Sequence, residues 1–226
     1  MALIAAFITM ILLVALATAL SLLTATETRV AGNYRAGLAT LYAAEAAIEI
    51  AADDLLGALD WNAVLAGQAT SAFVDGAPSG VRITAAGVID VAAETNFVRC
   101  GKRSACTQSD LDAATGERPW GVNNPLWQVY ASGPLGELLQ IDPTTSDAYV
   151  IVWVGDDPSE CDGRPDVDGA PCAAGDNRGA RTVALLAHAY GLDGTERALE
   201  AIVARGPAPG GGRPRRAGIL SWREAR

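Results

Sequence analysis

The chain has 226 residues and is acidic, with a formal net charge of −9 and a pI near 4.6. This charge argues against nucleic acid as the main partner, because phosphate contacts need clustered basic side chains. The main basic cluster, Arg213, Arg215 and Arg216, reads as part of a solvated tail. The sequence carries no P-loop, dinucleotide fingerprint or G-x-S-x-G nucleophile motif, so no enzymatic activity is predicted.

Residues 1–56 predict one long helix. Residues 2–23 form an almost unbroken apolar run, and no charged residue precedes Glu27. About twenty such residues at about 1.5 Å each cross the hydrocarbon core of a bilayer. Residues 24–56 continue with apolar side chains at three- to four-residue steps and many alanines, which is typical of an amphipathic helix. Four residues of this second half are predicted to dock a globular head: Val30, Leu38, Leu41 and Ile48.

The apolar run has two interpretations, a single-pass membrane anchor and the core of a filament. Small residues in the run favour close helix–helix packing, and therefore the filament. No Lys or Arg precedes Arg29, so nothing ahead of the run orients an anchor by the positive-inside rule. The missing basic leader leads us to expect that Met1 is the first residue after a processing cut. The residues expected to build the assembly surface are Leu3, Phe7, Leu12, Leu13, Leu16 and Leu20.

The rest of the chain predicts a head over residues 57–205 and a Gly/Pro/Arg-rich tail over residues 206–226. The overall class is α+β, with a mostly antiparallel sheet packed on the long helix. A short helix is predicted over 90–98 and a short strand over 81–89, while 108–124 is predicted to be irregular. Aromatic, β-branched and continuous apolar patterns predict four further strands, at 126–132, 148–154, 181–190 and 195–205. Residues 191–194 join the last two as a hairpin, and 219–222 are either a final edge strand or docking residues of the tail.

Four cysteines allow three pairings, and the sequence does not choose among them. They are Cys100, Cys106, Cys161 and Cys172. Neighbours in sequence, Cys100 with Cys106 and Cys161 with Cys172, would each close a short loop. Disulfides are expected if the head lies outside the cytoplasm. A zinc site involving the cysteines is disfavoured, because no C-x-x-C spacing occurs and the single histidine, His188, is remote in sequence.

An acidic segment, residues 156–176, is the richest polar stretch of the head. Dense carboxylates repel one another unless they are solvated or share a cation, and Ca²⁺ prefers oxygen ligands. The candidate ligands are Asp162, Asp166 and Asp168, with a solvated acidic loop as the favoured alternative. His188 lies in a predicted strand beside Leu186 and Tyr190, so a packed or edge-facing histidine is expected rather than a catalytic one.

Three spaced elements of the N-terminal quarter resemble PilX-type type IV pilins. They are Ala2-Leu3-Ile4 leading into the apolar run, residues 24–35 (TATETRVAGNYR), and residues 43–48 (AAEAAI). In that family an apolar helix is followed by an AGN-x-R-like element and an AAEAA element. The remaining chain is similar to the heads of such proteins, more loosely.

The resemblance implies a ladle-shaped pilin fold and a structural role in a type IV pilus-like filament. It implies a precursor cut by a prepilin peptidase and N-methylated at the new terminus, Met1. The subunit would be held in the bacterial inner membrane and then transferred by an assembly platform into an extracellular surface fibre. Its partners would be copies of itself and other pilins. Ala5 stands where many pilins carry a glutamate, which weakens the interpretation as a major pilin. A type II secretion pseudopilin and a non-polymerising periplasmic scaffold or binding domain remain as alternatives.

Overall fold

The computed structural model describes residues 1–58, 60–113, 125–139, 146–157, 182–205 and 217–225. Its helices are α1 Ala2–Gly57, α2 Trp61–Leu65, α3 Val91–Cys100, α4 Gln108–Asp112 and α5 Leu135–Leu138. Its strands are β1 Val81–Thr84, β2 Gly87–Asp90, β3 Gln128–Pro134, β4 Tyr149–Asp156, β5 Thr182–Tyr190, β6 Glu196–Arg205 and β7 Ala217–Ala225. A 3₁₀ turn, Leu192–Gly194, lies between β5 and β6.

The chain divides into two compact units, Met1–Leu38 and Ala39–Arg226. The first unit is helical from Ala2 onward, and its helix ends in the second unit at Gly57. The side chains of residues 1–35 are exposed throughout. The second unit holds the sheet and the remaining helices, and we call it the head.

The head is built on a five-stranded sheet in the order β3-β4-β5-β6-β7, with every neighbouring pair antiparallel. This confirms the predicted α+β architecture, a long N-terminal helix packed on an antiparallel sheet. All eight residues of β4 are buried, as its continuous apolar sequence predicts for a central strand. A segment before β1 pairs with the β3 edge, because Ser132 donates its amide to Phe73 and accepts at its carbonyl from Asp75.

One face of the sheet packs against the last part of α1. The helix contributes a nearly all-alanine surface with Ile48 and Leu55, which lets its backbone approach the sheet closely. The buried helix residues are Ala43, Ala44, Ala47, Ile48, Ala51, Ala52 and Leu55. From the sheet, alternate residues of β6 point toward this core: Leu199, Ala201 and Val203. The indole Nε1 of Trp61 donates to the Leu55 carbonyl at 2.9 Å and so satisfies a backbone acceptor at the end of α1.

The other face of the sheet packs against α3 and the β1–β2 hairpin. Its core includes two fully or nearly fully buried tryptophans, Trp127 and Trp153. The Trp153 indole donates to the Thr95 hydroxyl at 2.9 Å, which ties α3 to the middle of the sheet. Asp90 caps α3 by accepting from the amides of Ala92 and Ala93.

The structure refines several predictions. Residues 81–90 form a two-stranded hairpin and not one strand, because the Ala85–Ala86 turn separates β1 from β2. The stretch predicted as irregular contains α4, which begins with a Thr107–Asp110 capping box. The final strand β7 covers the predicted 219–222 segment, so part of the predicted tail belongs to the sheet.

The predicted docking residues of α1 differ in how far they are buried. Ile48 is buried in the core of the head and Leu41 packs against it, as expected. Val30 is 63% exposed, which corrects the prediction for this residue. Val30 is exposed because it lies before the buried part of the helix, whose first buried position is Gly37.

Candidate functional site

The apolar surface of the N-terminal helix is the largest exposed hydrophobic feature among the described residues. The six predicted assembly residues are all at least half exposed: Leu3, Phe7, Leu12, Leu13, Leu16 and Leu20. Between them lie other exposed apolar side chains, including Ile4, Ile8, Ile11 and Val14. Exposed apolar surface on this scale marks contact with a membrane or with other protein chains.

Five threonine hydroxyls on this helix are satisfied within the helix itself. Each hydroxyl donates to a backbone carbonyl three or four residues earlier, at 2.9–3.0 Å. The donors are Thr9, Thr18, Thr24, Thr26 and Thr28. An unpaired hydroxyl in an apolar environment costs free energy, and this local pairing avoids that cost. The helix is therefore suited to lipid and to a packed helical core alike.

By length and composition, α1 is the one described helix that could cross a membrane. A secretory signal sequence near an N-terminus meets the same criterion, so this observation supports a membrane anchor without specifying the final location. A membrane-crossing helix does not by itself indicate an extracellular filament, because a filament also requires that copies of the helix pack together.

A second feature is the disulfide loop at the end of α3. Cys100 and Cys106 form a disulfide, which is one of the short-range pairs that the sequence left open. Gly101 ends α3 in the left-handed conformation at φ 72°, where glycine is favoured over residues with a side chain. The loop presents Arg103, whose guanidinium contacts the Glu94 carboxylate and lies 5.4 Å from the centre of the Phe97 ring.

A third feature is a cluster of titratable side chains on the face of the sheet that packs against α3. It consists of Glu94 from α3, His188 from β5 and Glu196 from the start of β6, with one donor atom of each lying within 4.8 Å of the others. Tyr190 donates its hydroxyl to Glu94 at 3.3 Å. Trp153 packs edge-on against the His188 ring at 5.0 Å between ring centres.

The charges of this cluster act on one another. Burial, followed by the charges of Glu94 and Glu196, raises the pKa of the Tyr190 phenol far above its usual range. The polar contact with His188 lowers the pKa of the Glu196 carboxyl, and partial burial opposes that effect. Glu94 is buried, with 5% of its side chain exposed, and the Arg103 guanidinium balances its charge.

The sequence identified His188 as a packed residue beside Leu186 and Tyr190, and the structure confirms its burial. No pattern in the sequence marked Glu94 and Glu196 as neighbours of His188. The position of Glu196 could have been found from the predicted hairpin, because the hairpin register pairs it with Tyr190. The position of Glu94 could not, because its contact depends on how α3 packs across the sheet.

Other predicted sites lie outside the described residues. These are the calcium ligands Asp162, Asp166 and Asp168, the second cysteine pair Cys161 and Cys172, and the basic cluster Arg213, Arg215 and Arg216. The processing and methylation of Met1 also stays a prediction.

No protein-family model matches the chain, and no curated protein or solved structure matches it significantly. Its functional interpretation therefore depends on its own residues and geometry.

Proposed function

We propose that this protein is a structural subunit of a type IV pilus-like filament. Residues 2–23 hold it in the bacterial inner membrane before assembly and then pack against the same segment of neighbouring copies. The head is carried on the outside of the fibre. Its partners are copies of itself, other pilins, the prepilin peptidase and the assembly platform.

The observation that carries this proposal is the exposed apolar part of α1 with its internally paired threonines. Twenty-two consecutive residues, Ala2–Leu23, carry no charge, and their polar side chains are short hydroxyls. Ala, Ser and Thr side chains permit close approach of helix backbones in an apolar environment. A lipid anchor needs apolar length alone, whereas a filament core also needs such small residues at the contact.

The head supports the same proposal in a second way. A long N-terminal helix packed on an antiparallel sheet is the architecture that the sequence resemblance implies. The head also contains the Cys100–Cys106 disulfide. The disulfide is suited to an oxidising compartment outside the cytoplasm.

The alternative is a membrane-anchored scaffold or binding domain that never polymerises. Removing the helix does not separate the two cases cleanly, because both need it for attachment. A substitution that preserves hydrophobicity and removes the small residues does separate them. Ala15 and Ala19 lie four residues apart on one face of α1, and both carry small side chains.

In cells, Ala15→Leu combined with Ala19→Leu is expected to leave the protein in the membrane fraction and to abolish its recovery in sheared surface fibres. The added side chains keep the helix apolar but hold neighbouring helices apart. The measurement is peptide mapping of the sheared fibres and of the membrane fraction by mass spectrometry.

The matched control is Leu16→Met, which changes neither the hydrophobic character nor the small-residue face. It should give normal amounts in both fractions. Absence of the unsubstituted chain from sheared fibres would refute the filament proposal, and would favour the non-polymerising anchor if the protein is still found in membranes.

A further inference from the structure

We propose that Glu94, His188 and Glu196 form a binding site for a divalent transition-metal ion, with Zn²⁺ as the representative cation. The inference is independent of filament assembly, because all three residues belong to the head. Imidazole nitrogen and carboxylate oxygen are both among the donors that bind Zn²⁺ in proteins.

The first argument is the state of the histidine. His188 Nδ1 is buried and has no hydrogen-bond partner of acceptable geometry. The His188 side chain is 10% exposed, so solvent does not readily supply the missing partner. A buried polar atom without a partner costs free energy. We therefore expect a ligand to bind His188 Nδ1 in one state of the protein.

The second argument is distance. His188 Nδ1 lies 3.4 Å from Glu196 Oε1, longer than a good hydrogen bond between these atoms. Two donors bound to a tetrahedral zinc at about 2.0–2.1 Å are separated by about 3.3 Å. The third donor, an oxygen of Glu94, lies within 4.8 Å of one donor atom of His188 and one of Glu196. A cation would draw it inward by up to about 1.5 Å to reach the same separation.

The third argument is charge. Two carboxylates converge on one side of the sheet, and the Arg103 guanidinium contacts the buried one, Glu94. The Arg103 side chain is 61% exposed and extends from the disulfide loop, so it can withdraw toward the Phe97 ring when a metal ion takes its place. Arg103 and the metal ion therefore compete for Glu94.

The donor set selects the class of ion. Ca²⁺ prefers six to eight oxygen ligands, and an imidazole is a poor substitute for one of them. Zn²⁺ and its first-row neighbours accept imidazole together with carboxylate. The Tyr190 hydroxyl, which donates to the Glu94 carboxylate, can orient that carboxylate toward the metal as an outer hydrogen-bond partner.

The test is an isothermal titration calorimetry experiment in which ZnCl₂ is added to the full-length chain in detergent micelles. The unsubstituted protein should bind Zn²⁺ with a component that is weakened at least about tenfold by His188→Gln and by Glu196→Gln. Changing an outer partner of a metal site already costs about 10- to 100-fold, and loss of a direct ligand should cost no less. Glu196 is about half exposed, so its substitution leaves the core of the head intact.

Two further variants sharpen the test. The control is Glu200→Gln. Glu200 lies on the same strand and the same sheet face as Glu196, but its carboxylate pairs with Arg223. Its substitution should leave Zn²⁺ affinity unchanged. Arg103→Gln removes the competing cation and should tighten Zn²⁺ binding. X-ray absorption at the zinc edge should show nitrogen and oxygen ligands at about 2.0–2.1 Å, with an imidazole contribution that disappears in His188→Gln.

The site would be overturned by the absence of Zn²⁺ binding, or by equal affinity in the unsubstituted, His188→Gln and Glu196→Gln proteins. Weaker binding in Arg103→Gln would overturn the competition between arginine and metal. None of these outcomes depends on whether the chain polymerises, so the metal site and the filament can fail separately.

Discussion

At the scale of single residues, Asp75 organises the junction between the β1–β2 hairpin and the sheet. Its carboxylate accepts from the Tyr149 hydroxyl at 2.9 Å, from the Ser132 hydroxyl at 2.9 Å and from Arg82 Nε at 3.0 Å. The three donors come from β4, β3 and β1. One carboxylate thus joins three strands from both sheets of the head.

This network makes stability sensitive to high pH. Burial, followed by the hydrogen bond to Asp75, raises the pKa of Tyr149 to about 12. Because the folded state holds the proton more tightly than the unfolded chain, the contribution of Tyr149 is complete below about pH 10 and declines as the pH rises toward 12. The melting temperature of Tyr149→Phe should therefore fall less between pH 9 and about pH 11.5 than that of the unsubstituted protein.

The control is Tyr42→Phe, because the Tyr42 side chain is exposed on α1. Circular dichroism in detergent at matched pH values gives the comparison. Parallel pH curves for Tyr149→Phe and the unsubstituted protein would contradict the assignment.

Gly191 is required by close packing. A Cβ atom at this position would overlap the hydroxyl oxygens of Thr40 on α1 and Thr195 before β6. Those two hydroxyls are 3.0 Å apart and hydrogen-bonded, so neither can move away without losing that contact. Gly191→Ala is expected to destabilise the head by about 1–3 kcal/mol, the usual cost of forcing extra volume into a packed site.

Thermal unfolding checks this expectation. Gly218→Ala serves as the matched control, because a Cβ there meets no atom within 4 Å. Equal melting temperatures for the two variants would show that the Thr40–Thr195 contact has room to relax.

At the scale of elements, the disulfide loop links the end of α3 to the charged cluster on the sheet. Cys100 belongs to α3, and Cys106 lies six residues later, beyond Arg103. Lys102 in the same loop pairs with Asp110 of α4, and this contact helps to lower the pKa of Asp110 to about 2. The loop therefore connects two helices through one covalent bond and one ion pair.

Cys100→Ser combined with Cys106→Ser is expected to reduce the free energy of unfolding by about 2 kcal/mol, because a closed loop of this length restricts the unfolded chain by about that amount. Chemical denaturation in detergent measures the change. Ser104→Ala alters the same loop without cutting the covalent link and should leave stability nearly unchanged. If the double-serine variant has the same free energy of unfolding as the unsubstituted protein, the disulfide contributes nothing to stability.

At the scale of the whole molecule, the head is a layered structure with apolar cores on both faces of one sheet. The alanine face of α1 covers one side, and α3 with the hairpin covers the other. This explains why β4 and β5 are almost entirely buried, while β6 alternates between a face of aliphatic residues and a face with Glu196 and Glu200. The exposed apolar part of α1 is not covered by the head, and it is the surface on which the proposed assembly depends.

The sequence determined the features that repeat regularly along the chain. The apolar run and the alanine-rich periodicity predicted α1, the continuous apolar stretch predicted β4, and alternation with Gly191–Gly194 between the runs predicted β5 and β6. These patterns are local, because a helix or strand shows its buried face at a fixed spacing. The Cys100–Cys106 pair was one of several combinations that the sequence allowed, and the structure selected it.

Only the tertiary structure decided which distant residues meet. Glu94 and His188 are separated by 94 positions, and they become neighbours because α3 lies across β5 with its buried side toward the sheet. The same holds for Thr40 with Thr195 and for Asp75 with Tyr149. Such contacts depend on the docking of elements through side-chain packing, for which a single sequence carries no periodic signal.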